Sequence, residues 1–136
     1  MSQENVEVVR RVIAAERRRD TATIFALYDV DIEWDVSRVG GPVAGHPEML
    51  RGHDGVRSWL RTWYEGFGNV SYEVEELIDA GEHVLLVVNQ HGWGRASGAD
   101  VSLRLYGAWT VRNRKVVRVA WFLDRIEALR AVGLEE

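Results

Sequence analysis

The sequence predicts an α+β fold, in which helices come first and a run of antiparallel strands follows. Apolar residues recur at helical spacing in two long segments of the first half of the chain. From about residue 70 onward the pattern changes to alternation with period two, which is typical of strands. This segregation of the two patterns distinguishes the chain from α/β proteins, where strands and helices alternate.

The first fifty residues are predicted to hold two helices, one strand and a loop. A helix is expected over residues 3–18 and a second, short one around residues 24–28. The positions at helical spacing in the first are Val6, Val9, Ile13 and Ala14. Residues 31–36 alternate as a half-buried strand would, and residues 37–52, which hold both prolines, are predicted to be a loop.

A third helix is predicted from about Asp54 to Phe67. Its apolar side chains form one wide stripe along a helix, because they recur at three- and four-residue steps. The stripe consists of Val56, Trp59, Leu60, Trp63, Tyr64 and Phe67. Arg57, Arg61 and Glu65 lie on the other side, so this helix is expected to bury one face.

Four strands joined by short turns are predicted after this helix. The first strand begins at residue 70, and the others cover residues 83–93, 101–112 and 115–124. The turns fall at Ala80-Gly81, at NQHGWGRASG over residues 89–98, and at Asn113-Arg114. The glycines of the second turn join two strands rather than a strand and a helix, so they predict a hairpin and not a phosphate cradle.

The C-terminal segment DRIEALRAVGL is predicted to form a last helix. Asp124, followed three residues later by Glu127, resembles a capping box, in which side chains satisfy free backbone N–H groups. Gly133 lies where such a helix would stop. Asp124 is therefore interpreted as a helix cap rather than a catalytic acid.

Residues 84–88 are apolar on both faces of their predicted strand. Leu85 and Val87 share one face, and the other three residues share the opposite face. Both faces are therefore expected to be covered. Since the predicted helices cover only one face, a second copy of the chain is expected on the other, which predicts a homodimer packed sheet to sheet.

Four segments of the chain resemble SnoaL-like proteins of the nuclear transport factor 2 (NTF2-like) superfamily. They are SQENVEVVRRVIAAERRRDTATIFALYDVDIEW from residue 2, RGHDGVRSWL from 51, ELIDAGEHVLLVV from 76 and DRIEALRAVGL from 124. Their order and spacing lead us to expect one SnoaL-like domain over residues 1–136. The resemblance implies a cone, with a curved antiparallel sheet wrapped around N-terminal helices and a short C-terminal helix. It also implies an apolar pocket and dimers through the sheet.

The six tryptophans lie on different predicted elements, and on a cone several of them would converge on the cavity. A cavity with aromatic walls and a few polar groups is a usual small-molecule site. The alternative for each tryptophan is simple core packing. The predicted ligand-binding residues are Tyr28, Trp34, Trp59, Trp63, Asn89, Trp93, Tyr106, Trp109 and Trp121.

His91 and Asp35 are the candidates for acid–base chemistry. If Leu85 and Val87 face the helices, His91 shares their face and enters the pocket, where an unperturbed pKa of about 6.5 suits proton transfer. The alternative is a solvated or hydrogen-bonded histidine at a hairpin end. Asp35 follows Trp34, so strict alternation turns it outward and a bulge is needed to bring it into the pocket.

Two well-defined catalytic sets of the superfamily are not matched. Enzymes resembling ketosteroid isomerase use a carboxylate near the end of the first strand and a tyrosine on the first helix. This chain has Trp34 or Asp35 at the first of these positions and Val12 at the second. Enzymes resembling limonene epoxide hydrolase use an Arg-x-Asp pair and a second aspartate, where this chain has Asn89-x-His91 and Trp121. Whether the protein is an enzyme therefore stays open.

Composition argues against several other functions. The chain has no cysteine, and its net charge of −4 argues against a nucleic-acid surface. No apolar run reaches the roughly 18 residues of a membrane span, and no signal peptide is visible, so a cytoplasmic protein is expected. His46, Glu48, His53 and Asp54 lack the helical spacing of a metal site, and we predict neither metal nor cofactor.

Three functions fit these observations. The first is a dimeric binder of a small, mostly apolar molecule, with acid–base chemistry at His91. The second is an isomerase, cyclase or hydrolase with an unrecognised catalytic set, which a histidine and a carboxylate converging in one cavity would favour. The third is a non-catalytic interaction module, which a cavity filled by side chains would favour.

Overall fold

One curved sheet carries the fold, and helices pack on both of its faces. The computed structural model describes residues 2–39, 48–65, 67–94 and 97–134. Within these ranges the helices are α1 (Ser2–Arg17), α2 (Thr21–Leu27), α3 (Gly52–Glu65) and α4 (Arg125–Ala131). The strands are β1 (Tyr28–Asp35), β2 (Met49–Arg51), β3 (Phe67–Ala80), β4 (His83–Gly94), β5 (Asp100–Arg112) and β6 (Lys115–Phe122). Their order in the sheet is β2-β1-β6-β5-β4-β3, which confirms the α+β prediction and the cone-shaped arrangement.

The three N-terminal helices pack on one face of the sheet, which we call the inner face. Helix α1 buries Val9 and Val12 there, and α3 buries the stripe that contains Trp59 and Trp63. Asp20 caps the N-terminus of helix α2, because its Oδ1 accepts a hydrogen bond of 3.2 Å from the backbone N–H of Thr23. The predicted bounds of α1 and α3 differ by at most two residues at each end.

Strands β3 to β6 form an antiparallel meander, as predicted. Asn113 and Arg114 both have positive φ, at 50° and 62°, which matches the two-residue turn between β5 and β6. The glycine-rich stretch joins β4 to β5, where the N–H of Gly98 donates to the carbonyl of Gly94 at 2.7 Å. The hairpin prediction is therefore confirmed, although residues 95–96 lie outside the described ranges.

Two features of β1 depart from the prediction. It pairs in parallel with β6, so the sheet is not entirely antiparallel. On its other side it pairs with β2, a strand within the segment predicted as a loop, where Leu50 lies opposite Trp34. Strands β1 and β6 are distant in sequence, and β2 has only three residues. Hydrophobic periodicity therefore predicts neither pairing. Residues 40–47 of the predicted loop lie outside the described ranges.

Helix α4 packs on the opposite, outer face of the sheet. Its buried residues Ala128 and Leu129 lie in one cluster with Leu85 and Val87. The premise that the chain has no element to cover this face is therefore wrong, because its own C-terminal helix does so. The capping prediction is confirmed, since Asp124 Oδ2 accepts a hydrogen bond of 3.2 Å from the N–H of Glu127.

Candidate functional site: an aromatic cavity

A cavity of about 110 Å³ lies between the inner face of the sheet and helices α1 and α3. Its wall is mostly apolar. The helices contribute Val12, Ile13, Glu16, Trp59, Leu60, Trp63 and Tyr64. The strands and the segment after β1 contribute Tyr28, Trp34, Val36, Val39, Tyr72, Leu86, Val88, Gln90, Leu105, Trp109 and Trp121. An engineered cavity of about 150 Å³ binds benzene. The cavity here is therefore close to the size of a single ring, and a larger ligand would require its walls to move.

Three tryptophans from three neighbouring strands meet in this wall, and we call them the indole trio. Trp34 lies on β1, Trp109 on β5 and Trp121 on β6. The ring centroids are 6.4 Å apart for Trp34 and Trp109, 6.0 Å for Trp34 and Trp121, and 6.2 Å for Trp109 and Trp121. These separations are typical of aromatic rings in mutual contact. Tyr28 adds a fourth ring, at 6.0 Å from Trp34 and 6.2 Å from Trp109.

Gly107 makes room for the trio on β5. A Cβ atom added there would lie 2.7 Å from Trp109 Nε1 and 2.9 Å from Trp121 Cζ3, closer than real Cβ atoms approach. Any side chain at this position would have to displace one of the two rings.

The wall holds both paired and unpaired side-chain N–H groups. Trp63 Nε1 donates a hydrogen bond of 3.0 Å to Gln90 Oε1, so this buried pair is satisfied. Trp34 Nε1 and Trp109 Nε1 are buried and have no hydrogen-bond partner within the described part of the chain. A buried donor without a partner costs about 1–3 kcal/mol, so these two N–H groups are exceptional.

Glu16 is the single carboxylic acid among the described wall residues. Burial raises its pKa above the ordinary 4.5, and Arg19 opposes the rise only in part. Burial and then the Glu16 charge raise the pKa of Tyr72 to about 12, and the same two causes raise the pKa values of Tyr28 and Tyr64. The three hydroxyls therefore stay protonated at neutral pH, near one carboxyl whose pKa is raised by burial.

The sequence analysis missed Glu16, although a signal was available. Glu16 lies four residues after Val12 and seven after Val9, on the stripe that α1 buries. A charged residue on a buried stripe is unusual and would have identified it.

The structure brings together six of the predicted ligand-binding residues and separates the others from them. Those in the cavity wall are Tyr28, Trp34, Trp59, Trp63, Trp109 and Trp121. Those outside it are Asn89, Trp93 and Tyr106, together with the proposed acid–base residues His91 and Asp35. The cavity is not filled by side chains, which removes the observation that would have favoured a non-catalytic interaction module.

Strand β4 has the opposite orientation to the one that a cavity role for His91 requires. Leu85 and Val87 face α4 on the outer side, whereas Leu86, Val88 and Gln90 line the cavity. Both faces of residues 84–88 are apolar, so alternation alone could not decide between them. The reversal carries Asn89, His91 and Trp93 to the outer side of the sheet and places Tyr106 in the cluster beneath α4.

His91 therefore has surroundings that differ from the predicted ones. Its Nε2 lies 3.7 Å from Glu73 Oε1, and 45% of its side chain is exposed. Its neighbour on the same face, Asn89, accepts a hydrogen bond of 3.0 Å from Ser102. The reason for assigning acid–base chemistry in the cavity to His91 is thereby removed.

Asp35 also faces outward, as strict alternation requires. Arg118 donates hydrogen bonds of 2.9 Å to Asp35 and 2.7 Å to Glu33. Partial burial would raise the pKa of Asp35, but hydrogen bonds from Ser37 and the charge of Arg118 outweigh it and hold that pKa below its usual value. Asp35 is therefore an ionised partner of arginine and lies away from the cavity.

The metal candidates do not converge within the described residues, where no group of three or more histidine or acidic side chains lies close enough to hold an ion. His53 instead has its Nε2 3.0 Å from the carbonyl oxygen of Tyr28. His46 lies outside the described ranges. No described helix is long and apolar enough to cross a membrane.

A curved sheet that encloses an aromatic cavity against N-terminal helices defines the NTF2-like class of α+β folds. The model of the SnoaL-like domain matches residues 9–119, and the chain belongs to that family. A search of curated proteins finds no significant match.

Solved structures agree with this assignment. An NTF2-like protein from Burkholderia xenovorans is 30% identical, with a TM-score of 0.75 and 98% of each chain covered. TerC, co-crystallised with polyporic acid, is 22% identical, with a TM-score of 0.75 over 95% of this chain and 98% of its own. A putative SnoaL-like polyketide cyclase from Mesorhizobium loti is 19% identical, with a TM-score of 0.63 over 85% of this chain and 96% of its own. The last two likenesses establish the fold alone.

Proposed function

We propose that the protein binds a small, mostly apolar molecule of one or two rings in the cavity. The observation that carries this proposal is a ring-sized space whose wall is built largely from tryptophans. Indole rings supply large apolar contact surfaces at little cost in side-chain entropy, which suits a flat ligand. Tyr28, Trp34, Trp59, Trp63, Trp109 and Trp121 are its proposed contacts.

The structural relatives are in keeping with this function. TerC was co-crystallised with polyporic acid, so a small organic molecule is a reasonable ligand class for this chain too. At 22% identity that molecule is not transferred to this cavity.

Tryptophan fluorescence and thermal melting test the proposal. A panel of one- and two-ring apolar compounds should change indole emission and raise the melting temperature, because a ligand that binds only the folded state stabilises it. Val88→Phe, which adds a ring to the cavity wall, should weaken binding at least tenfold. Val30→Phe is the matched control, because Val30 is 73% exposed. If no compound binds, or both variants bind equally well, the cavity is not the site.

An acid–base enzyme is the second candidate, and Glu16 is the observation that favours it. A buried carboxyl with a raised pKa, close to tyrosine hydroxyls, is a common arrangement for proton transfer. Here Glu16 takes the role first assigned to His91. Glu16→Gln, which keeps the size and removes the titration, should abolish turnover of a ligand found by the screen while retaining its binding. If the Gln variant turns the ligand over as fast as the wild type, Glu16 is not the acid or base.

Four further expectations from the sequence remain predictions. They are a single domain over residues 1–136, a cytoplasmic location, no binding of nucleic acid, and a homodimer formed through the outer face of the sheet. The apolar face of β4 no longer supports the dimer prediction, because α4 covers that face within the same chain. Its remaining support is the family resemblance and the outer surface around His91 and Trp93, beyond the α4 cluster.

A further inference from the structure

We infer that the cavity binds a small cyclic amine in its protonated form, with Glu16 as the counter-ion and the aromatic wall as the contact surface for the ring. This inference rests on the proposed function, because it specifies the chemistry of the ligand in the same cavity. It extends that function by assigning a positive charge to the ligand and a recognition role to Glu16 that does not depend on catalysis.

The carboxyl of Glu16 faces the space between three tyrosines. Glu16 lines the cavity, and its charge raises the pKa values of Tyr28, Tyr64 and Tyr72. These tyrosines belong to β1, α3 and β3, three elements that enclose the cavity from different sides. A carboxyl that pointed away from the cavity would not act on all three, so its charge is directed toward the interior.

The described part of the chain provides Glu16 with no direct partner for its charge. Burial raises the pKa of Glu16, and the influence that opposes the rise is the charge of Arg19, not a hydrogen bond. Carboxylates are seldom buried without a partner, because their removal from water is costly. A cation inside the cavity would pair with this carboxyl and offset that cost.

The rest of the wall also suits a cation better than an anion. Aromatic rings from α3 and from strands β1, β3, β5 and β6 line the cavity. The face of an aromatic ring attracts ammonium groups, and tryptophan does so most strongly. No arginine, lysine or histidine is among the described wall residues, so the wall holds no positive charge for an anionic ligand.

The main cost of binding an amine is the loss of water from its ammonium group. Two features of the site offset this cost. The fold has already buried Glu16, so that burial does not have to be repeated when the ligand binds. An ammonium N–H also donates a charge-assisted hydrogen bond to a carboxylate, which is about twice as strong as a bond between neutral groups.

The competing explanation is that Glu16 stays protonated and acts as a neutral polar group in the wall. A protonated carboxyl would bind an alcohol as well as it binds an amine. The two explanations therefore differ in one measurable quantity, which is the preference of the cavity for a cation over a neutral molecule of the same shape.

The test compares benzylamine, which is a cation at pH 8, with benzyl alcohol, a neutral molecule of the same shape. Calorimetry should show that the wild type binds benzylamine about tenfold more tightly. Glu16→Gln should lose this preference and keep its affinity for benzyl alcohol within about twofold of the wild type. Glu7→Gln, which removes the same charge from a side chain that is 62% exposed on the same helix, should keep the preference.

A pH titration of the wild type is an independent measurement that needs no variant. Benzylamine stays a cation from pH 8 to pH 4, whereas Glu16 gains its proton over this range. The tyrosines that face Glu16 have pKa values above the ordinary 10, and the nearby Arg19 carries its charge throughout. The preference for benzylamine should therefore disappear toward pH 4, while the affinity for benzyl alcohol stays constant.

Several outcomes would overturn the inference and leave the proposed function intact. They are equal affinities of the wild type for the two compounds at pH 8, a preference that Glu16→Gln retains or Glu7→Gln loses, and a preference that persists at pH 4. Tighter binding of benzoate than of benzylamine would also overturn it. If neither benzylamine nor benzyl alcohol binds at millimolar concentration, the proposed function for ligands of this size fails as well.

Discussion

Glu16 contributes to the pH dependence of stability through the burial of one side chain. Its carboxyl lines an apolar cavity, and burial makes the anion less favourable there than in the unfolded chain. The folded state therefore holds the Glu16 proton more tightly than the unfolded state does. Stability linked to this group is complete below the ordinary pKa of 4.5 and is lost as the pH rises through the elevated pKa of the folded state.

Replacing Glu16 with glutamine should remove this loss. We expect the melting temperature of Glu16→Gln to exceed that of the wild type at pH 8 and to approach it at pH 4. Glu7→Gln is the matched control, because Glu7 is on the same helix with 62% of its side chain exposed. If the wild type and Glu16→Gln differ in melting temperature by the same amount at pH 4 and at pH 8, the pKa of Glu16 is not raised in the folded state.

At the residue scale, the sequence predicted the apolar part of the site better than the polar part. The tryptophans of the cavity were identified because large aromatic residues on the stripe of α3 and on alternating strand positions must be buried. Gln90 and Glu16 were missed, since polar residues are normally exposed and their burial depends on which face the helices cover. For β4, that choice was made by α4, through its contact with Leu85 and Val87.

Helix α4 is the element that decides the orientation of the sheet. It has only seven residues, too few for a stable isolated helix, so its formation depends on its cap and on packing against the outer face. Leu129 is buried there, whereas Ile126, one turn earlier, is 53% exposed.

These two positions give a matched test of the contribution of α4. Leu129→Ala should destabilise the protein by about 2–4 kcal/mol, because it leaves a void against Leu85 and Val87. Ile126→Ala should change the free energy of unfolding by no more than about 0.5 kcal/mol. Urea denaturation of both variants measures the difference. Equal effects would mean that α4 does not pack on the sheet as described.

Most helices and strands and the meander of β3 to β6 were predictable, whereas the partners of β1 were not. Periodicity identified the helices and the four long strands because each has a local apolar pattern. The parallel pairing of β1 with β6 and the short strand β2 depend on contacts between distant segments, for which a single sequence holds no local signal.

At the scale of the whole molecule, we predict that two copies associate through the outer face of the sheet. We expect light scattering at micromolar concentration to give about twice the chain mass of 15.5 kDa. His91→Glu, which puts a further acidic group beside Glu73 on the outer surface, should shift that mass toward the monomer through like-charge repulsion across the interface. A single species of 15.5 kDa at all concentrations would show that the outer face is not a contact between copies.

The parallel pairing of β1 with β6 also has a consequence for biosynthesis. Trp34 is translated early, but its neighbours Trp109 and Trp121 leave the ribosome more than seventy residues later. Until then the hydrophobic sides of the N-terminal helices have no complete sheet to shield them, and contacts of such long sequence separation form slowly. The nascent chain therefore lacks the aromatic cavity until strands β5 and β6 have been synthesised. A molecule in this cavity could enter only after Trp121 has been made, so it could not act as a template for the fold.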